Sequence, residues 1–139
     1  MGSLSLPLLL ALVAAPMAPA AFSEWLQQAD RLQLEQGRHA LALSRLELAA
    51  ATQQRLGDML GLARTTDALA RTLSAMHNPG EALRLLGASV ELNAAKGATL
   101  GLKYNRRTLA HLAESFTPEE KDVYRAHVEA LVDALEPDR

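Results

Sequence analysis

The sequence repeats itself after forty residues. Residues 56–73 read LGDMLGLARTTDALARTL, and residues 96–113 read KGATLGLKYNRRTLAHLA. A fixed period of this size is typical of a solenoid, in which neighbouring copies bury the apolar faces that a single pair of helices leaves open. A shift of forty residues aligns nine identical pairs: Ala42/Ala82, Leu43/Leu83, Leu46/Leu86, Gly57/Gly97, Leu60/Leu100, Gly61/Gly101, Leu62/Leu102, Leu69/Leu109 and Ala70/Ala110.

The composition favours an all-α fold in one domain. Of the 139 residues 49% are hydrophobic but only 4% are aromatic, so Leu and Ala, which favour helices, carry the apolar content. We therefore predict an α-solenoid of three antiparallel helix hairpins, closed by a C-terminal capping helix. The apolar spacing predicts helices at about 22–36, 39–55, 59–76, 79–95, 99–116 and 118–136.

Local chemistry predicts where these helices start and stop. Gly37, Gly57 and Gly97 follow predicted helices, and glycine adopts the left-handed backbone of a helix C-terminus without a Cβ clash. The motifs NPGE at 78–81 and TPEE at 117–120 each offer a capping residue, a Pro in the first helical turn and a Glu that can bond back to the free amides.

The first twenty residues have two interpretations. They contain no charged side chain and end in the small-residue motif APA at 18–20, which resembles a secretory signal peptide with its cleavage site. A signal peptide predicts a secreted or periplasmic protein beginning at Ala21. The missing basic residues favour the alternative, a truncated leading helix of a cytoplasmic solenoid. Prolines at 7, 16 and 19 argue against a membrane-spanning helix.

Residues 67–92, DALARTLSAMHNPGEALRLLGASVEL, resemble the tetratricopeptide repeat. Leu69, Ala70 and Leu73 match the packing positions of the family's first helix, helix A. The packing positions of the second, helix B, are matched by Ala82, Leu86, Ser89 and Val90. The chain departs from the family because it lacks the aromatic residues that are common at several of these positions. Its period of forty residues is also longer than the roughly 34 residues of the shorter form of the repeat. The longer period and the LGDMLGLAR junction resemble extended repeats in sensor arms of bacterial ATPase-type transcription regulators. The resemblance covers residues 21–116 and leaves 117–139 as the cap.

The resemblance implies a concave groove lined by the helix A faces, in which a partner peptide or protein lies. Residues 62–107 carry seven basic side chains and three acidic ones, so an acidic or C-terminal peptide is the expected ligand. The predicted contact residues are Arg64, Asp67, Arg71, Tyr104, Arg107 and His111, with Ser74 and Glu114 completing the two rows and Gln27 and Arg31 extending them.

Other classes of function find little support in the sequence. The net charge of -2 does not favour nucleic acid, and the absence of Cys excludes disulfides and thiolate sites. The four histidines lack the spacing of a metal motif, so we expect no enzyme, cofactor or metal. The sequence predicts a non-catalytic protein-protein interaction scaffold. The alternative is a detached sensor arm of a bacterial regulator that binds its effector in trans.

Overall fold

The computed structural model describes Glu24 and residues 39–136, and the described chain is all-α. The prediction of a helix at 22–36 and the two interpretations of residues 1–20 therefore concern residues outside the described range, apart from Glu24, which is helical. The helices of residues 39–136 are α1 (His39–Leu56), α2 (Met59–Ala75), α3 (Pro79–Ala95), α4 (Thr99–Ser115), α5 (Pro118–Val123) and α6 (Arg125–Leu135).

The forty-residue period is a structural repeat. Helices α2 and α4 each contain 17 residues, and their first residues, Met59 and Thr99, lie one period apart. The turns before them use Gly57 at φ 72° and Gly97 at φ 62°, so the prediction of left-handed glycines is confirmed at both positions. Short turns make consecutive helices antiparallel, and the result is a helical repeat built from hairpins.

Two predicted helix starts have different outcomes. Thr117 and Glu120 form the full capping box, each side chain accepting a hydrogen bond from the other residue's backbone amide. At the NPGE motif, Asn78 makes no capping hydrogen bond through its side chain, and Glu81 pairs with Arg84 on the same helix. The prediction that Glu81 closes back on the free amides was wrong, because Arg84 is the stronger, charge-assisted donor.

The predicted last helix is broken in two. Residues 118–136 were expected to form one helix, but Tyr124 ends α5 and begins α6 with φ −101° and ψ 7°. Its ring packs against Phe116 with 5.7 Å between the ring centroids, and its hydroxyl would lie 3.1 Å from a Cβ placed on Gly80. The break lets Tyr124 fill the space between the end of α4 and the start of α3.

The helices stack in two layers around one main core. Besides packing against their neighbours in sequence, α2 contacts α4, and α3 contacts α6. Helix α2 and its repeat equivalent α4 therefore form one layer, which we call the A layer, and α3 and α6 lie in the other. The repeated leucines Leu69 and Leu109 are both buried. The main core comprises Ala70, Leu73, Ala82, Leu83, Leu86, Val90, Leu109, Leu112, Phe116, Leu131 and Leu135.

Candidate functional site

The exposed surface of the A layer carries most of the predicted contact residues. Arg64 on α2 and Tyr104, Arg107 and His111 on α4 are exposed, and Arg71 is partly exposed. Positions 64 and 71 on α2 correspond, one period later, to positions 104 and 111 on α4. The repeat therefore places the two rows on equivalent faces of adjacent helices. Of the predicted contact residues on α2 and α4, Asp67 alone is buried.

The same surface has an apolar part that the sequence analysis missed. Leu60 is 53% exposed and Leu100 is 61% exposed, although the two form one of the identical pairs. They lie one helical turn before Arg64 and Tyr104, on the same face. Their repetition therefore does not serve packing within the described chain. We call the surface formed by Leu60, Arg64, Arg71, Leu100, Tyr104, Arg107 and His111 the A face.

Tyr104 and Arg107 form a preorganised pair on the A face. They lie three residues apart on α4, and the guanidinium carbon of Arg107 is 5.6 Å from the centre of the Tyr104 ring. A cation over an aromatic face at this distance is attracted by the ring and loses side-chain freedom before any ligand arrives. The pair can offer a flat apolar contact beside a planar donor of hydrogen bonds to a carboxylate.

Asp67 does not belong to the A face. Its residue is only 7% exposed, and its carboxylate is engaged inside the protein. Asn105 Nδ2 donates to Asp67 Oδ1 at 3.0 Å, and Thr108 Oγ1 donates to Asp67 Oδ2 at 3.0 Å. The prediction of Asp67 as a contact residue was wrong because α4 packs over it. Arg71, with its Nε 3.4 Å from Asp67 Oδ2, also faces this carboxylate.

Asn105 links three helices through its side-chain amide. Its Nδ2 also donates to Ser89 Oγ on α3 at 2.9 Å, and its Oδ1 accepts a hydrogen bond from Asn93 Nδ2 at 2.8 Å. Ser89 in turn donates to the backbone carbonyl of Ala63 on α2 at 2.6 Å. We call Asp67, Ser89, Asn93, Asn105 and Thr108 the polar network; all five are buried.

A glycine makes room for the polar network. A Cβ on Gly101 would lie 2.3 Å from Asn93 Oδ1, far inside the contact distance. The equivalent Gly61 is crowded instead by Asp58, whose Oδ1 accepts from the Gly61 amide at 2.9 Å and caps α2. The two members of this identical pair thus serve different contacts, because the residues around them differ.

Burial controls the protonation of Asp67. Desolvation raises the pKa of this carboxyl above its ordinary value, while the hydrogen bond from Asn105, the charge of Arg71 and the hydrogen bond from Thr108 oppose the shift. The other side chains of the polar network are neutral, and Ser89 and Asn93 on α3 reach Asp67 through their hydrogen bonds to Asn105. Arg71 is the one charged side chain that the structure places against it within the described range.

We expect the Asp67→Asn variant to remove a pH dependence from folding stability. A raised pKa in the folded state means that protonation of Asp67 stabilises the fold, and this contribution is lost as pH rises through the raised value. The free energy of unfolding of the wild type minus that of Asp67→Asn should therefore increase as pH falls from 7 toward 4. Urea unfolding of both proteins across this range measures the difference. Parallel curves for the two proteins would contradict the assignment.

Nothing among the described residues suggests a metal or membrane site. Residues 39–136 and Glu24 contain no group of three or more acidic or histidine side chains that could hold a metal ion. No helix of this part of the chain is long and apolar enough to cross a membrane. Comparison with family models, curated proteins and solved structures gives no match. The functional assignment therefore rests on the A face and the repeat.

The sequence contained a signal for the polar network. Asn105 interrupts an apolar series on α4, lying three residues after Leu102 and four before Leu109. A polar residue within the core-facing stripe of a helix must find hydrogen-bonding partners when the helix packs. The identity of those partners required the positions of α2 and α3.

Proposed function

We propose that this chain is a non-catalytic scaffold that binds a partner protein or peptide along the A face. The observation that carries the proposal is the exposure of the repeated Leu60 and Leu100 beside Arg64 and the Tyr104–Arg107 pair. Exposed apolar side chains that recur one period apart give a partner two equivalent anchor points. The resemblance to the tetratricopeptide repeat supports the same surface, since that family binds peptides along its helix A faces.

The charge of the A face favours an acidic partner. Arg64, Arg71 and Arg107 provide three guanidinium groups, which bind carboxylates through paired hydrogen bonds. Arg71 already faces Asp67, so we assign the principal charge contacts to Arg64 and Arg107. A peptide that combines Asp or Glu with large apolar side chains matches both the arginines and the exposed leucines.

Reversing Arg64 and Arg107 to Glu tests this proposal. Peptides selected from a random phage-displayed library on the wild-type chain should be rich in Asp and Glu beside Leu or Phe. The double reversal should weaken their binding by at least about tenfold, or about 1.4 kcal/mol, as measured by fluorescence anisotropy. The affinity of the wild type should also fall as salt concentration rises. We leave Arg71 unchanged because a carboxylate there would face the buried Asp67.

The matched control is the double reversal of Arg84 and Arg125. Arg84 lies on α3 and Arg125 is the first residue of α6, and both are exposed. Each pairs with a carboxylate three residues earlier in the chain, and exposed ion pairs of this kind contribute little to stability. This control should bind the selected peptides as the wild type does. Equal loss in both double variants, or selected peptides without acidic residues, would overturn the proposal.

A further inference from the structure

The two helices of the A layer, α2 and α4, run parallel and in register. Asp67 on α2 accepts hydrogen bonds from Asn105 and Thr108 on α4, both at 3.0 Å. These two residues lie on either side of position 107, which is one period after Asp67. Residues one period apart therefore lie beside each other across the two helices. Because the short side chains of Asp67 and Asn105 meet directly, we take the helix axes to be separated by about 8–10 Å, the usual distance for packed helices.

This register sets the spacing of the apolar side chains on the A face. Leu60 and Leu100 are exposed and one period apart, so they lie side by side at about the 8–10 Å separation of the helices. Arg64 and Tyr104 follow them by four residues each, and they form a second row about 6 Å further along the helices. Arg107 lies over the Tyr104 ring in this second row. The A face therefore consists of an apolar row beside a row that carries the guanidinium groups.

The conformations that a bound segment can adopt differ in the spacing of their side chains. Polyproline II has three residues per turn, so every third side chain points the same way, at intervals of about 9.3 Å. Side chains on one face of a β-strand recur about every 6.6 Å, and those on one face of an α-helix lie about 5–6 Å apart. Polyproline II is therefore the conformation in which consecutive side chains of one face match the spacing of Leu60 and Leu100.

We propose that the A face binds its acidic partner as a polyproline II segment, with apolar side chains three residues apart on Leu60 and Leu100. This binding mode rests on the proposed function and adds the conformation and the spacing of the partner. The segment crosses α2 and α4, and the residue next to each apolar one faces the second row. Acidic residues at these positions lie beside Arg64 and beside the Tyr104–Arg107 pair. A segment held in polyproline II by Pro loses little entropy on binding.

Three labelled peptides with Gly-Ser flanks test the spacing and the conformation on the full chain. The first contains Leu-Glu-Pro-Leu-Glu-Pro, the second contains the same residues as Leu-Pro-Leu-Glu-Pro-Glu, and the third has Ala in place of each Pro of the first. Fluorescence anisotropy at low salt should show that the first binds at least about fivefold more tightly than the second, and more tightly than the third. Equal affinity of the first two would overturn the spacing. Tighter binding of the third, which favours a helix, would overturn polyproline II.

Double-mutant cycles locate the two leucines of the first peptide. Each is replaced by Ala in turn, and both peptides are measured on the wild type, Leu60→Ala and Leu100→Ala. Each replacement should weaken binding to the wild type by about threefold or more, yet have little effect on one of the two variants, because that variant already lacks the contact. Val123→Ala is the control, since Val123 is 73% exposed on α5 and lies outside the A face. Coupling of both peptide leucines to the same protein leucine would contradict a segment that crosses the helices.

The proposed function and this binding mode fail in different ways. Peptides selected from the phage library should show apolar residues three positions apart, with Asp or Glu next to them. Selected peptides that lose affinity on reversal of Arg64 and Arg107, but lack this spacing, would keep the acidic partner and overturn the polyproline II segment. If neither the selected nor the designed peptides respond to the reversal, both proposals are wrong.

Discussion

Replacing Asn105 by Ala should lower the free energy of unfolding by about 3–5 kcal/mol. The residue is only 1% exposed, and its amide joins α4 to Asp67 on α2 and to Ser89 and Asn93 on α3. Alanine leaves the Asp67 carboxylate buried without one of its hydrogen bonds and leaves the Asn93 amide without an acceptor. A loss of this size is a large fraction of the stability of a small domain. Urea unfolding followed by circular dichroism measures it.

Asn78→Ala is the matched control for this substitution. Asn78 is exposed before α3 and makes no capping hydrogen bond through its side chain, so its loss should cost less than about 0.5 kcal/mol. Similar small effects at both positions would mean that the polar network does not hold the three helices together.

An isosteric change separates the charge of the network from its shape. Asn105→Asp keeps the volume of the side chain but places a second carboxyl against the buried Asp67. Two carboxyl groups this close share one proton, so the variant should be strongly destabilised at pH 7 and should recover part of the loss as pH falls toward 5. Asn105→Ala should recover less, since Asp67 alone titrates there. Equal pH dependence in the two variants would contradict this account.

The second large effect is expected at the repeated leucines of the core. Leu69→Ala and Leu109→Ala should each cost about 2–5 kcal/mol, because both side chains are buried at equivalent positions and alanine leaves a cavity. Chemical unfolding of each variant provides the measurement. The two losses differ within this range, because Leu69 packs with Leu46 and Ala68, whereas Leu109 lies in the main core.

Leu60→Ala and Leu100→Ala are the controls for the core leucines. They make the same chemical change at another identical pair, but these side chains are largely exposed. We expect each to cost less than about 0.5 kcal/mol while weakening partner binding at the A face. Losses below about 0.5 kcal/mol at Leu69 and Leu109 as well would show that the register of the repeat is wrong.

The polar network connects stability to the proposed function. It fixes α4 against α2 through Asp67, and the same carboxylate faces Arg71 at the edge of the A face. Since buried hydrogen bonds require particular partners, they favour one register of packed helices over others of similar apolar burial. We infer that the network holds the two rows of the A face at a constant spacing. Under the proposed function, this preorganised surface reduces the entropy that is lost when a partner binds.

Much of the fold followed from local sequence signals. Gly57 and Gly97 ended helices as predicted, and Thr117 with Glu120 formed the predicted capping box. These features depend on residues within one turn of each other, so they can be read without knowledge of the tertiary structure. The exception was Glu81, whose local alternatives included Arg84.

The candidate site was less accessible to prediction. The period placed Arg64, Tyr104, Arg107 and His111 on equivalent exposed faces, but it also placed Asp67 there. Helical spacing gives the angle of a residue around its helix and leaves open which neighbouring helix covers that angle. The break at Tyr124 was missed for a similar reason, because Tyr124 packs against Phe116 at the end of α4 and against Gly80 at the start of α3.

The sequence by itself determined the all-α class, the forty-residue period and the positions of most helix ends, since these arise from backbone preferences and apolar spacing. Only the tertiary structure decided which repeated residues are buried. Leu69 and Leu109 share an interior position, whereas Ala70 is covered and Ala110 is not, because α4 has no further helix of the described chain beside it in the A layer. Burial is a property of neighbours, and identical residues become different when the chain supplies a neighbour to one and leaves the other exposed.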